Sequence, residues 1–162
     1  MLPTKQCLLL AKLSLGLAAA AAVYGCAAAR TQAGGNVSQQ TKIYELKVGE
    51  EKALAGADFT VLLASVPEDS RCPEGVNCIW AGTVAVELVF CGPKSEKSAR
   101  LGTNTPPRVV KYRGRYLRVT GVSPRKVEGR EIKPADYVVA LEVSKDRPAA
   151  EGADDIVEIK DE

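Results

Sequence analysis

Asp69-Ser70-Arg71-Cys72 sets a carboxylate, a hydroxyl, a guanidinium and a thiol side by side. A serine in such company suggests a nucleophile, but a hydroxyl needs a positioned base to take its proton. The 162 residues include no His. That removes the commonest general base, the commonest zinc ligand and the side chain that titrates near neutral pH. The structural reading is the better one: Asp69 and Ser70 bond the backbone of a turn, and Arg71 pairs with a carboxylate. The 20 acidic residues leave room for a hydrolase or carbohydrate-active enzyme working with carboxylates alone, but nothing marks two of them as a pair. No catalytic residue and no cofactor is assigned.

The cysteines offer redox or metal chemistry, and their spacing argues against both. Of the five, Cys7 lies in an N-terminal apolar segment and Cys26 at its end, leaving Cys72, Cys78 and Cys91. There is no Cys-x-x-Cys pair, and the gap from Cys72 to Cys78 is wider than zinc ribbons use. Three thiols allow three single pairings, each leaving one over. If Cys78 to Phe90 were one strand, Cys91 would lie roughly 40 Å from Cys78 at about 3.3 Å per residue. Disulfide Cα atoms sit within about 7 Å. Cys72–Cys78 is therefore expected, ahead of Cys72–Cys91 and Cys78–Cys91, closing a small ring worth about 2 kcal/mol. The part of this loop expected to touch a partner is its tip: Arg71, Pro73, Glu74, Gly75, Val76 and Asn77. Trp80, the only Trp, offers a ring on which a ligand could stack, but it shares parity with Cys78, Val84 and Val86, and core packing over the disulfide is the expectation.

The elements around this loop repeat with a period of two. Tyr44, Leu46 and Val48 alternate with charged residues, and Phe59–Val66 is apolar enough for a strand buried on both faces. After the loop, Val84, Val86, Leu88 and Phe90 share one face, Gly82 marks a bend, and Gly92-Pro93 ends the strand. Lys94–Ala99 reads as polar loop. Val109–Tyr112 and Arg115–Val122 flank Arg113-Gly114 as a tight hairpin, with Val110 facing Leu117 and Tyr112 opposite Arg115. Asp136–Ser144 is a further strand, with Tyr137, Val139, Leu141 and Val143 inward. In the acidic tail, Ile156–Ile159 can add an edge strand, and the remainder is expected to be mobile. The fold class is all-β: one antiparallel sandwich or barrel of about six to eight strands, an immunoglobulin-like sandwich being one arrangement that fits.

The N-terminus has the layout of an export signal: Lys5, then an apolar run from Leu8 to Val23 ending in small residues. Val23-Tyr24-Gly25-Cys26 resembles a bacterial lipobox. By that resemblance Cys26 becomes the first mature residue and carries lipid, although Tyr24 is bulkier than the pattern prefers. Ordinary cleavage near Ala20–Ala22 or Ala27–Ala29, giving a soluble secreted protein, is the alternative. Two or three acyl chains hold a protein on a bilayer stably. Ala27, in place of the Asp that retains such proteins at the inner membrane, favours the periplasmic face of an outer membrane. The divisions expected are thus a signal over 1–25, lipidated Cys26 and a flexible tether to 42, a β domain over 43–145, and an acidic tail over 146–162.

The formal charge of +2 comes from Lys5 and Lys12; without residues 1–25 the chain has 20 basic and 20 acidic residues. That balance argues against a nucleic-acid partner. Nine basic residues lie between Arg108 and Lys133 against Glu128 and Glu131. Gathered on one face they would attract phosphate head groups or an acidic envelope polymer; the alternative, and the preferred reading, is solvated strand faces balanced by the acidic tail.

Asp69-Ser70-Arg71-Cys72-Pro73, with Val76, Cys78 and Trp80-Ala81-Gly82, resembles a motif of small exported bacterial proteins and lipoproteins. The resemblance implies a shared fold and brings no activity with it. The expected function is that of a membrane-anchored envelope module, monomeric and non-enzymatic, binding or scaffolding an envelope protein or polymer through a disulfide-braced loop. Protease-inhibitor-like presentation of that loop is a further alternative.

Overall fold

The computed structural model describes residues 41–148 and 154–160. The export segment, Cys26, the tether up to residue 40 and residues 149–153 and 161–162 of the tail lie outside the described residues. Among the described residues nine strands form two sheets. One holds β1 (Lys42–Lys47), β8 (Val138–Ser144), β7 (Arg115–Ser123), β6 (Val109–Tyr112) and β9 (Ile156–Ile159), in that order. The other holds β2 (Glu51–Ala53), β3 (Thr60–Asp69), β4 (Val84–Cys91) and β5 (Glu96–Gly102). Every pairing is antiparallel except that of β9 with β6. The expected β-sandwich is what the chain forms.

Alternation explains the packing. On β4 the side chains of Val84, Val86, Leu88 and Phe90 are fully buried and meet Leu117, Leu141 and Val139 of the opposite sheet in one core. Phe59, Phe90 and Tyr112 add an aromatic cluster with ring centroids 4.8–6.2 Å apart, near the edge-to-face geometry aromatic pairs prefer. The hairpin takes the expected register, Val110 opposite Leu117 and Tyr112 opposite Arg115. Arg113 and Gly114 both take positive φ, as a two-residue turn between right-twisted strands requires.

Two expectations are corrected. β3 is not buried on both faces: Val61 and Leu63 point inward while Leu62 and Ala64 are half-exposed. Glu96–Ala99 is not loop but most of β5, whose polarity is that of an edge strand with one face in water. In the tail, Ile156–Ile159 adds the edge strand expected of it. Its β9 lies against β6, tied by Arg108 to Asp155 through two bonds of 3.1 and 2.7 Å, and by Lys111 to Glu158 at 2.9 Å.

The sandwich presents two ends. β3 and β7 both finish at the end carrying the cysteine loop, where the Arg71 guanidinium donates to the Val122 carbonyl at 2.7 Å. The start of β7, the β6–β7 hairpin and the β2–β3 loop meet at the other end, where Arg115 donates to the Gly56 carbonyl.

Candidate functional site

The cysteine loop continues the β3–β4 ladder before leaving it. The Ser70 N–H donates to the Thr83 carbonyl at 2.8 Å, and the Ser70 hydroxyl accepts from the Thr83 N–H at 3.0 Å. Gly82 is where the pleat breaks. Its φ is +70°, and a Cβ there would sit 1.9 Å from the Ser70 carbonyl oxygen, so only glycine lets the two chains approach this closely. The Asn104 side-chain amide closes the bend by donating to the Gly82 carbonyl at 2.5 Å.

Beneath the loop lies a polar brace. The Asp69 carboxylate, 8% exposed, accepts from Nε and Nη2 of Arg71 at 2.9 and 2.6 Å and from the Arg71 N–H at 3.2 Å. It also accepts from the Tyr137 hydroxyl at 3.0 Å. Arg71 turns its other donors to the carbonyls of Val122 and Pro124, and Lys126 donates to the Asp69 carbonyl at 3.0 Å. Loop and opposite sheet are thus tied through one carboxylate. Burial pushes the Asp69 pKa up, but the Arg71 guanidinium and N–H and the Tyr137 hydroxyl outweigh it and hold it below 3.8. The bond to Asp69 raises the pKa of Arg71 further, and burial with the Asp69 contact raises that of Tyr137 above 10.0. At neutral pH this is a fixed ion pair with a neutral phenol. The expected turn bonds of Asp69 and Ser70, and the pairing of Arg71, are present; the groups that look most chemical hold the loop.

Above the brace the Cys72–Cys78 disulfide closes the tip, with Cα atoms 5.9 Å apart. The pairing is the expected one, but no thiol is left over: Cys91, buried at the end of β4, is disulfide-bonded as well. The predicted tip residues separate. Arg71 is folded inward, its side chain 19% exposed, and Pro73 is half-buried. Glu74, Gly75, Val76 and Asn77 face solvent. A second loop flanks them: the Glu74 N–H donates to the Lys126 carbonyl at 2.9 Å, and Glu74 pairs with Arg125 at 3.1 Å. Val127 of that loop is itself exposed.

Trp80 is a clear departure from expectation. It is not in the core over the disulfide but 80% exposed, beside Ile79 at 92%, and Cys78 is exposed too. Parity fails because β4 begins only at Val84. Alternation carries through a continuous pleat, and the positive φ of Gly82 interrupts it. Sequence reasoning thus missed Ile79 and Trp80 as surface residues, although Gly82 was the available signal. It also missed the partnership of Tyr137 with Asp69, which no local pattern announces across 68 positions.

Of the nine basic residues from Arg108 to Lys133, five pair with carboxylates: Arg108 with Asp155, Lys111 with Glu158, Arg113 with Asp58, Arg118 with Glu142 and Arg125 with Glu74. Two of those partners belong to the tail, as the charge-balance reading anticipated. Among the described residues no three of His, Cys, Asp and Glu come together as metal ligands. Comparison of the chain with family models, curated proteins and solved structures finds no match.

Proposed function

We propose that this domain is a non-enzymatic binding module of the cell envelope that engages a protein partner through the tip of its cysteine loop, and that lipidated Cys26 holds it to a membrane provided that Cys91 is not bonded to that residue. The observation that carries this is the exposure of Ile79 and Trp80 on a loop fixed from both sides. Tryptophan is enriched among the few residues that dominate binding energies, and water-exposed apolar pairs cost solubility without a partner to cover them. The disulfide and the Asp69–Arg71–Tyr137 brace would hold these side chains in place before binding, lowering the ordering cost of association. Val76 of the same loop and Val127 of the flanking one are exposed too, and Glu74 pairs with Arg125 between the two loops.

The test is site-specific photocrosslinking in intact cells, with the probe at Ile79 and a control probe at Ile43, which is 66% exposed on the edge strand β1. A saturable adduct with one envelope protein is expected from position 79 alone, lost in Trp80→Ala. Equal labelling from both positions, or no saturable adduct, would refute the proposal. The anchor has its own test: Cys26→Ser should release the protein from membranes. A mapped peptide joining Cys26 to Cys91 would overturn lipidation, since a thioether sulfur forms no disulfide.

A further inference from the structure

At the end of the sandwich away from the cysteine loop lies a cavity of about 230 Å³ lined chiefly by Lys42, Tyr44, Gly56, Arg115, Val143 and Lys145. Arg115 and Val122 are about 23 Å apart along β7 at about 3.3 Å per residue, so the cavity is separate from the loop site. Three cations line it and no carboxylate does. Other cations of the sandwich meet a carboxylate, among them Arg71, Arg108, Arg113 and Arg118. Neither Lys42, Arg115 nor Lys145 has such a partner among the described residues.

The walls are fastened. The Tyr44 hydroxyl accepts from the Ala55 N–H at 2.8 Å, fixing the β2–β3 loop to β1, while Arg115 fixes the same loop to β7 through the Gly56 carbonyl. Pairing of Lys42 with Val143 brings Lys42 and Lys145 to one rim. Like charges held together repel, and a multiply charged anion relieves them; a guanidinium adds the fork that matches phosphate oxygens. The volume equals that of roughly eight waters at about 30 Å³ each, enough for a phosphate with a glycerol-sized substituent.

We propose that this cavity binds a phosphate group, carried either by a small soluble molecule or by a lipid headgroup. The test uses the full chain and follows ³¹P line broadening of inorganic phosphate, glycerol 3-phosphate and short-chain phosphatidylglycerol kept below its micelle-forming concentration. Saturable broadening by the first two assigns a soluble ligand; saturation by phosphatidylglycerol alone assigns a headgroup. Removing each ammonium, in Lys42→Gln and Lys145→Gln, should weaken binding about tenfold. Trp80→Ala should leave it unchanged, which separates this site from the loop. No saturation by any probe, titrations of both lysine variants identical to that of the wild type, or equal competition by acetate would overturn the proposal.

Discussion

Replacing Asp69 by Asn keeps the shape of the side chain and removes the charge that the brace is built around. The carboxylate accepts four bonds, three of them from Arg71. In Asp69→Asn the amide presents donors where acceptors stood, so it must turn N–H groups toward either Arg71 or Tyr137. Losing one partner of a well-buried ion pair costs about 3–5 kcal/mol. Arg71 would keep the Val122 and Pro124 carbonyls and is 19% exposed, so the cost should fall to about 2–3 kcal/mol. Urea unfolding at pH 7 should show a midpoint about 1–2 M lower than wild type. The pH dependence gives a sharper check. A carboxyl with a folded-state pKa below its unfolded value stabilises the protein above the unfolded value, and the contribution is lost as pH falls through the folded one. Asp69 is held below 3.8, so the gap between wild type and variant should be full at pH 5–7 and close only below about pH 4. A loss under about 1 kcal/mol at pH 7, or a gap unchanged down to pH 2, would show that the carboxylate is not what holds the loop.

Three more outcomes follow from the same geometry. Cys72→Ser with Cys78→Ser should cost about 2 kcal/mol and expose the 73–80 segment to proteolysis; unaltered cleavage would show that the brace alone fixes the tip. Gly82→Ala drives a Cβ against the Ser70 carbonyl at a left-handed φ and should cost more than about 2 kcal/mol by denaturant titration, whereas a neutral change would mean that the bend relaxes freely. Ile79→Ala and Trp80→Ala should each change stability by under about 0.5 kcal/mol, and wild-type Trp80 should be fully quenched by acrylamide; a shielded indole would contradict its 80% exposure.

The consequence for function is a division of labour within one short motif. Asp69, Arg71 and Gly82 set where the loop goes, the disulfide limits how it moves, and Ile79 and Trp80 are what a partner would meet. The brace spans both sheets, so damage on the β7–β8 side, at Tyr137 or Lys126, should reach the tip as readily as damage within it.

The sequence by itself determined whatever depends on neighbours along the chain. Period-two alternation placed the strands that carry the core, Arg113-Gly114 set the hairpin register, and close spacing singled out Cys72–Cys78. It also led to an inward Tyr137 and a bend at Gly82. β5 was hidden because an edge strand buries only part of one face and looks like polar loop. Trp80 was misplaced because parity was carried across a glycine whose φ only the folded chain reveals. Tertiary structure alone decided the rest. Asp69 meets Tyr137, and Lys42, Arg115 and Lys145 share a cavity, because two sheets stack and bring together residues remote in sequence. Alternation reports which face of a strand is buried; what that face or its rim meets across the sandwich depends on the order of the strands.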